Sequence, residues 1–179
     1  GVSLAIFNAG NYWPASGDRL SIQKFVDTYA INVMGQVNGI VPIVDHMKAK
    51  GSGHVMIVAS VSGYSGLPMA SAYGASKAAL INMAEALKFD FDRMNIRIQI
   101  VNPGFIETPL TEKNAFKMPA LMPVDKAVRR IIDGISTQAG GEGPWIPGIP
   151  GVRPVQAGVL VAGTNCVTTD AVGAALMGF

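Results

Sequence analysis

Residues 55–77 have the sequence VMIVASVSGYSGLPMASAYGASK, and this pattern predicts a strand, a loop and a helix in that order. The uninterrupted apolar run from Val55 to Ala59 is typical of a parallel strand that is buried on both faces. A loop rich in Ser and Gly follows, and an Ala-rich segment predicts the helix. Because ligands of open α/β sheets bind beyond the carboxyl ends of the strands, Ser60 and Ser62 lie where a ligand is expected.

Tyr73 and Lys77 lie four positions apart in the predicted helix, so their side chains share one face. A phenol ordinarily has a pKa of about 10, and a nearby ammonium favours the phenolate. At about 4 Å and an effective dielectric constant of about 20, the attraction is roughly 4 kcal/mol, which is enough to bring the pKa of Tyr73 toward neutrality. Tyr and Lys at this spacing also occur by chance, so the pair alone is a weak signal.

Three further motifs accompany this pair in a fixed order, and Ser60 precedes Tyr73 by 13 residues. These motifs are Asn8-Ala9-Gly10 after the first apolar run, Asn32 inside a predicted helix, and Asn102-Pro103-Gly104 after the third apolar run. Taken together, the motifs resemble the short-chain dehydrogenase/reductase family, and the resemblance extends from about Leu4 to about Ile132. From the residues alone, Ser60 is also explained as a capping hydroxyl and Asn32 as a helix-packing amide.

The resemblance implies a role for each matching residue. Ser60 is expected to bind the oxygen of a carbonyl or alcohol substrate, and Tyr73 is expected to be the general acid and base. Lys77 is expected to lower the pKa of Tyr73 and to hold the nicotinamide ribose, and Asn32 to position a water molecule in a proton relay. The implied cofactor is NAD or NADP. Its expected binding residues are Asn8, Ala9, Gly10, Tyr73, Lys77, Pro103, Gly104 and Thr108.

The composition excludes several other classes of function. Hydrophobic residues make up 49% of the chain and charged residues 15%, which predicts a globular protein. A net charge of +2 gives no electrostatic reason to expect nucleic acid, and no apolar run is long enough for a membrane helix. We therefore expect a cytoplasmic protein. No metal site is expected, because Cys166 is the only cysteine and His46 and His54 read as surface or capping residues.

The predicted fold class is α/β, with part of a Rossmann-like, doubly wound parallel sheet. Three strands are clear: residues 1–7, Val55 to Ala59, and Ile96 to Val101. A long amphipathic helix is expected from Asp18, and Pro42 is expected to kink it or end its first part. Two more helices are expected, one from Tyr73 onward and one over residues 124–136.

Residues 110–122 alternate between polar residues and apolar Met, Leu and Phe, which predicts a mobile lid with an apolar inner face or, alternatively, a packed surface loop. Such a lid implies a largely apolar alcohol or ketone as the substrate. The Ala-rich helix and the long helix before it permit close helix packing, so a homodimer or homotetramer is expected.

Both ends of the chain depart from the family pattern. The glycine-rich turn that cradles the cofactor pyrophosphate in the family is not found ahead of the first strand. The alternative function is therefore that of a truncated or fused fragment that acts only through association.

Three regions are expected along the chain. Residues 1–136 are the catalytic portion, residues 137–152 a linker rich in Gly and Pro, and residues 153–179 an atypical strand and helix. Gly158 to Val161 is the expected strand, and Ala171 to Met177 the expected helix. Residues 142–179 resemble an uncharacterised family linked to iron-sulfur proteins, although a single cysteine cannot ligate a cluster.

Overall fold

Three parallel strands form the centre of the protein in a computed structural model, which describes residues 1–137 and 162–163. These strands are β1 (Leu4–Phe7), β2 (Gly53–Val58) and β3 (Ile96–Val101), and they adjoin one another in that order. A two-residue strand, β4 (Ala162–Gly163), pairs antiparallel with β3. The α/β class and the three predicted strands are confirmed.

The register of the parallel strands brings their carboxyl ends to one edge of the sheet. Phe7 pairs with Ile57, and Val58 pairs with Val101. The segments that begin at Asn8, Ala59 and Asn102 therefore leave the sheet side by side. Two of them are joined directly, because the backbone N–H of Val61 donates to the carbonyl oxygen of Pro103 at 3.1 Å.

The main core lies on one face of the sheet, between the strands and helices α2 (Gly35–Lys50) and α3 (Ser71–Arg93). Alternate residues of each strand point into it, as the two-residue period of a strand requires. Fully buried side chains from both layers meet there; among them are Met47, Val55, Ile57, Leu80, Ala84 and Ile98. The predicted helix from Tyr73 begins two residues earlier, at Ser71.

Helix α4 (Val124–Thr137) covers the opposite face, where its Ile131 and Ile135 pack near Met56 and Val101. The C-terminal turn of α4 presents carbonyl oxygens without intrahelical partners. Gln99 donates to the carbonyl oxygen of Gly134 at 3.1 Å, and Arg97 donates to that of Ile135 at 3.2 Å. Because helices cover both faces, the doubly wound arrangement is confirmed.

The long helix predicted from Asp18 differs in two ways from the structure. Helix α1 (Ile22–Tyr29) begins only after Ser21, whose extended backbone and side chain cap its first turn, and Asp18 lies in a separate 3₁₀ turn. Pro42 neither ends nor interrupts the helix, because α2 continues through it to Lys50. The interruption occurs earlier, as a five-residue π-helical turn over Ala30–Met34.

Several expectations fall on residues outside the described part. These are most of the linker 137–152, the strand at 158–161, the helix at 171–177 and the environment of Cys166. Within the described residues, no helix is long and apolar enough to cross a membrane, and no group of His, Cys, Asp and Glu side chains could hold a metal ion.

The expectation for the two histidines holds for only one of them. His46 is exposed, and its Nε2 accepts a hydrogen bond from the backbone N–H of Val2 at 3.2 Å. His54 instead lies within the sheet, paired with Leu4 on one side and Arg97 on the other, and its Nε2 is buried. Burial, followed by the Arg97 guanidinium, lowers the pKa of His54 to about 4.

This shift predicts a pH dependence of stability with a definite sign. Below the ordinary pKa of 6.5, an unfolded chain takes up a proton at His54 that the folded chain does not accept until about 4. The free energy of unfolding should therefore fall as the pH falls through this window. In His54→Gln this component should be absent, so urea denaturation at stepped pH should show wild type losing stability relative to the variant. A constant difference between the two across the window would contradict the prediction.

Candidate active site

Helix α3 carries Tyr73 and Lys77 to the carboxyl edge of the sheet. The Lys77 side chain is 3% exposed, and its Nζ donates to the carbonyl oxygen of Val58, the last residue of β2, at 3.0 Å. Gly10 lies directly beside this ammonium, since a Cβ added at Gly10 would be 3.3 Å from Lys77 Nζ. A glycine at this position leaves room for the lysine head group between the loop after β1 and the end of β2.

Burial governs the proton affinity of both members of the pair. It lowers the pKa of Lys77 to about 8. The pKa of Tyr73 is raised, first by burial, while a hydrogen bond with Ser60 acts in the opposite direction and Tyr12 raises it further. The expected lowering of the Tyr73 pKa by Lys77 is therefore not found. The reason is geometric, because Lys77 Nζ lies over the Tyr73 ring, 5.6 Å from its centroid.

Ser60 lies at the start of the loop after β2, at the same edge. It is 9% exposed and caps the 3₁₀ turn Val61–Gly63, where its Oγ accepts the backbone N–H of Ser62 at 3.2 Å. The structure thus supports the capping interpretation of Ser60, and it is compatible with the substrate-binding one, since hydrogen bonding with Ser60 lowers the pKa of Tyr73. The structure brings Ser60, Tyr73 and Lys77 together.

Asn32 is fully buried in the π-helical turn, and its amide holds the loop after β1. Its Oδ1 accepts the backbone N–H of Asn11 at 2.7 Å, and its Nδ2 donates to the carbonyl oxygen of Asn11 at 2.9 Å. The same Nδ2 donates to Ser76 Oγ at 3.0 Å, and that hydroxyl donates to the carbonyl oxygen of Tyr73 at 2.7 Å. The packing-amide reading is therefore correct for the side chain, and the water relay stays a prediction.

The expected cofactor residues are brought together only in part. Asn8, Ala9 and Gly10 are exposed at the end of β1, and Ala9 is tied down by Gln36, whose Nε2 donates to its carbonyl oxygen at 3.2 Å. Pro103 and Gly104 follow β3, beside the Ser60 loop.

Thr108 does not join this cluster through a hydrogen bond. Its hydrogen bonds within the described residues all lie in its own turn, with Thr111 and Glu112. The family spacing predicts the position of this residue in the sequence but not the direction of its hydroxyl. Here the hydroxyl points toward Thr111 in its own turn.

The two ends of the segment expected to form a lid are joined by backbone hydrogen bonds. Glu107 N–H donates to the carbonyl oxygen of Met122, and Met122 N–H donates to that of Phe105, both at 2.9 Å. Between these ends, the rings of Phe105 and Phe116 meet edge to face, 5.7 Å apart. Met122 is buried, whereas Phe116 and Leu121 are exposed, so the apolar residues of the segment face both ways.

Three contacts in the site were not predicted from the sequence, although Ser62 itself was placed where a ligand is expected. The ring of Tyr12 packs edge to face on that of Tyr73, with centroids 5.4 Å apart. Ser62 contacts Ser60 through its side chain as well as its backbone. Asn102 donates to the phenol oxygen of Tyr64 at 2.6 Å, which joins the turn after β3 to the Ser60 loop. Only the position of Ser62, two residues after Ser60 beyond a strand end, gave a signal.

A buried Lys over a Tyr ring and a Ser after the end of the neighbouring parallel strand lie at the edge of the sheet where ligands of open α/β sheets bind. The comparisons with known proteins give the family. The family model described as short chain dehydrogenase matches residues 1–118, so the chain belongs to that family. An uncharacterized oxidoreductase of Myxococcus xanthus is 32% identical over 151 residues, which are 84% of this chain and 60% of that protein.

Solved structures show the same relationship. A short chain dehydrogenase/reductase family oxidoreductase from Burkholderia thailandensis has a TM-score of 0.59 and 29% identity, over 62% of this chain and 43% of that one. A gluconate 5-dehydrogenase from Burkholderia cenocepacia, solved with NADP and tartrate, has a TM-score of 0.60 and 25% identity, over 63% and 46%. The chain spans about three fifths of the length of the curated relatives first matched.

The buried ammonium of Lys77 generates a prediction about stability. Because its pKa is lowered from 10.5 to about 8, an unfolded chain holds the proton in a range where the folded chain has lost it. Stability contributed by this position should therefore rise as the pH increases from about 8 to about 10.5, by on the order of 3 kcal/mol in total. Urea denaturation of wild type and Lys77→Met across this range should show the difference growing with pH. Parallel curves would contradict the burial argument.

Proposed function

We propose that this chain carries the catalytic residues of an NAD(P)-dependent oxidoreductase that interconverts a ketone or aldehyde and an alcohol. The observation that carries the proposal is the convergence of Ser60, Tyr73 and Lys77 at the carboxyl edge of the sheet, where Lys77 Nζ lies over the Tyr73 ring and hydrogen bonding with Ser60 lowers the pKa of Tyr73. The NADP bound to the related gluconate 5-dehydrogenase supports the choice of cofactor.

Ser60 and Tyr73 have different roles at the substrate oxygen. In the direction of reduction, the Ser60 hydroxyl donates a hydrogen bond to the carbonyl oxygen and orients it toward the Tyr73 phenol. As charge develops on that oxygen, Tyr73 gives it a proton, and in the direction of oxidation Tyr73 takes the proton back. A bound nicotinamide supplies or accepts the hydride at the carbon atom. Asn32 acts by holding Asn11 and, through Ser76, the turn of α3 that bears Tyr73.

The donor set of the site suits the sugar of a nicotinamide cofactor. An ammonium has three N–H donors, and within the described residues Lys77 uses one of them, on Val58. The remaining donors suit the ribose hydroxyls. Gly10 adds no side chain beside the ammonium, and the exposed backbone of Asn8 and Ala9 lies next along the same edge. We assign Pro103, Gly104 and Thr108 to the nicotinamide side, following the family pattern.

The substrate is proposed to be largely apolar. Two aromatic contacts support this choice: Tyr12 packs edge to face on Tyr73, and Phe105 and Phe116 contact each other in the segment that follows the turn after β3. The 110–122 segment is the proposed lid, and its hydrogen-bonded base between residues 105–107 and 122 supplies the fixed end about which such a lid closes.

Titration with NADH and then NADPH, followed by nicotinamide fluorescence, tests the proposal directly. We expect saturable binding, and turnover of apolar ketones that falls at least about a hundredfold in Tyr73→Phe, because the proton donor is lost. Tyr12→Phe is the matched control, since it removes a neighbouring phenol but keeps the ring contact, and it should retain most of the turnover. Equal turnover in wild type and Tyr73→Phe would refute the assignment.

The alternative function, association without catalysis, is supported by the exposed apolar residues of the helical layer. Ile22 is 85% exposed and Val26 54% exposed on α1, and Val41 is 57% exposed on α2. A homodimer or homotetramer through α1, α2 and α3 would cover such a surface. Association and catalysis are compatible, so the cofactor titration decides whether association is the whole function.

Light scattering coupled to size-exclusion chromatography measures the association. We expect a dimer or tetramer, and we expect Val26→Asp to shift it toward the monomer, because a carboxylate would be desolvated in the apolar contact. Lys126→Asp, which changes an exposed residue of α4 on the other face of the sheet, is the control and should leave the mass unchanged. A monomeric wild type would contradict the proposed assembly.

A further inference from the structure

Ser62 makes two hydrogen bonds to the oxygen of Ser60. The hydroxyl of Ser62 donates to Ser60 Oγ at 3.0 Å, and the backbone N–H of Ser62 donates to the same oxygen at 3.2 Å. Ser62 is 5% exposed, so neither bond competes with bulk water.

These two bonds determine what Ser60 can still do. A serine hydroxyl has one donor proton and two acceptor lone pairs. Because Ser62 occupies both lone pairs, the Ser60 hydroxyl is left with its proton alone. Within the described residues, one acceptor for that proton is the carbonyl oxygen of Pro103. It lies 3.5 Å from Ser60 Oγ, which is long for a hydrogen bond.

We propose that Ser62 is a positioning residue, which fixes Ser60 as a hydrogen-bond donor: its single proton is directed toward the Tyr73 phenol in the free chain and toward the substrate oxygen once a substrate is bound. The inference deepens the proposed function and rests on it for the substrate. The part that concerns Tyr73 requires only the folded chain. Ser62 touches no reacting atom and acts through Ser60.

The packing of the loop holds Ser62 against the helix that bears Tyr73. A Cβ added at Gly74, the residue after Tyr73, would be 2.9 Å from the carbonyl oxygen of Ser62. The glycine at 74 therefore lets the Ser62 backbone lie directly on the first turns of α3. The backbone that bears Ser62 is in this way packed against the helix that bears Tyr73.

The groups that face Tyr73 define the electrostatic background. Lys77 lies over its ring and Tyr12 packs on it edge to face, and Ser60 acts on it through hydrogen bonding that lowers its pKa. Burial raises the pKa of Tyr73, and the hydrogen bond with Ser60 lowers it. A Ser60 that donates stabilises the phenolate, whereas a Ser60 that accepts stabilises the neutral phenol. Ser62 determines which of these roles Ser60 takes.

The test is an NMR titration of the full chain with tyrosine isotopically labelled at Cζ, whose shift reports the ionisation of each phenol. The Tyr73 signal is assigned from its loss in Tyr73→Phe. In Ser62→Ala one lone pair of Ser60 becomes open to accept the phenol proton, so the Tyr73 titration should move to higher pH. Ser60→Ala should move it in the same direction. Ser65→Ala, which removes an exposed hydroxyl from the same loop, is the matched control and should leave it unchanged.

An unchanged Tyr73 titration in folded Ser62→Ala would overturn the proposal, as would a shift of equal size in Ser65→Ala. If circular dichroism shows Ser62→Ala to be unfolded, Ser62→Cys provides the same test with a weaker donor of similar shape, and the same upward direction is expected. No cofactor is needed for these measurements. A failure of NADPH binding would therefore count against the proposed function and leave the Ser62 result standing.

The second readout is turnover, once cofactor binding has been shown. Loss of one hydrogen bond of about 1 kcal/mol that acts on the transition state should lower kcat roughly fivefold in Ser62→Ala. NADPH affinity should be unchanged, because the side chain of Ser62 is hydrogen-bonded to Ser60 and not, within the described residues, to any residue assigned to the cofactor. The pH–rate profile should move to higher pH together with the Tyr73 titration. Weaker NADPH binding with an unmoved pH profile would identify a merely structural role and overturn the proposal.

Discussion

The hydrogen bond between Lys77 Nζ and the carbonyl oxygen of Val58 is the interaction on which the geometry of the site depends. It joins the second turn of α3 to the last residue of β2. Tyr73, in the first turn of α3, and Ser60, two residues after β2, are thereby held near each other. An ammonium at this depth has lost most of its hydration, and the lowering of its pKa to about 8 shows that the loss is not fully offset. A group of this kind is retained for what it positions rather than for stability.

The loop after β1 is held against the same helix from the other side. The π-helical turn Ala30–Met34 places Asn32 so that its amide bonds both backbone groups of Asn11, and Ser76 continues the chain of bonds to Tyr73. A π-helical turn leaves one more residue per turn than an α-helix, which rotates a side chain out of the ordinary helical face. Here the rotated residue is a buried amide with three satisfied hydrogen bonds. The π-helical turn is thus part of the candidate active site, because it positions the amide that holds Asn11 and Ser76.

The parts of the fold that follow from pattern were predictable from the sequence. Strand β2 contains the continuous apolar run from Val55 to Val58, and β3 has an apolar residue at every position except Arg97 and Gln99. The rule that ligands bind beyond the carboxyl ends of parallel strands located Ser60. Features that depend on tertiary contacts were not predictable. The passage of α2 through Pro42, the π-helical turn around Asn32 and the orientation of Thr108 are decided by packing and by local hydrogen bonds, which residue spacing does not encode.

The pair at positions 73 and 77 shows how a correct spacing can still mislead about mechanism. Positions four apart share a helix face, but side chains on that face lean toward the N-terminus of the helix, so the longer Lys77 passes along the ring of Tyr73 toward Val58. The ammonium therefore meets the π face of the tyrosine and not its oxygen, where a cation would favour the phenolate directly. Burial is the main influence on the proton affinity of Tyr73 and raises its pKa, while hydrogen bonding with Ser60 acts in the opposite direction. The loop after β2 is therefore the part of the site that offsets burial, and the lysine contributes chiefly by fixing where β2 and α3 meet.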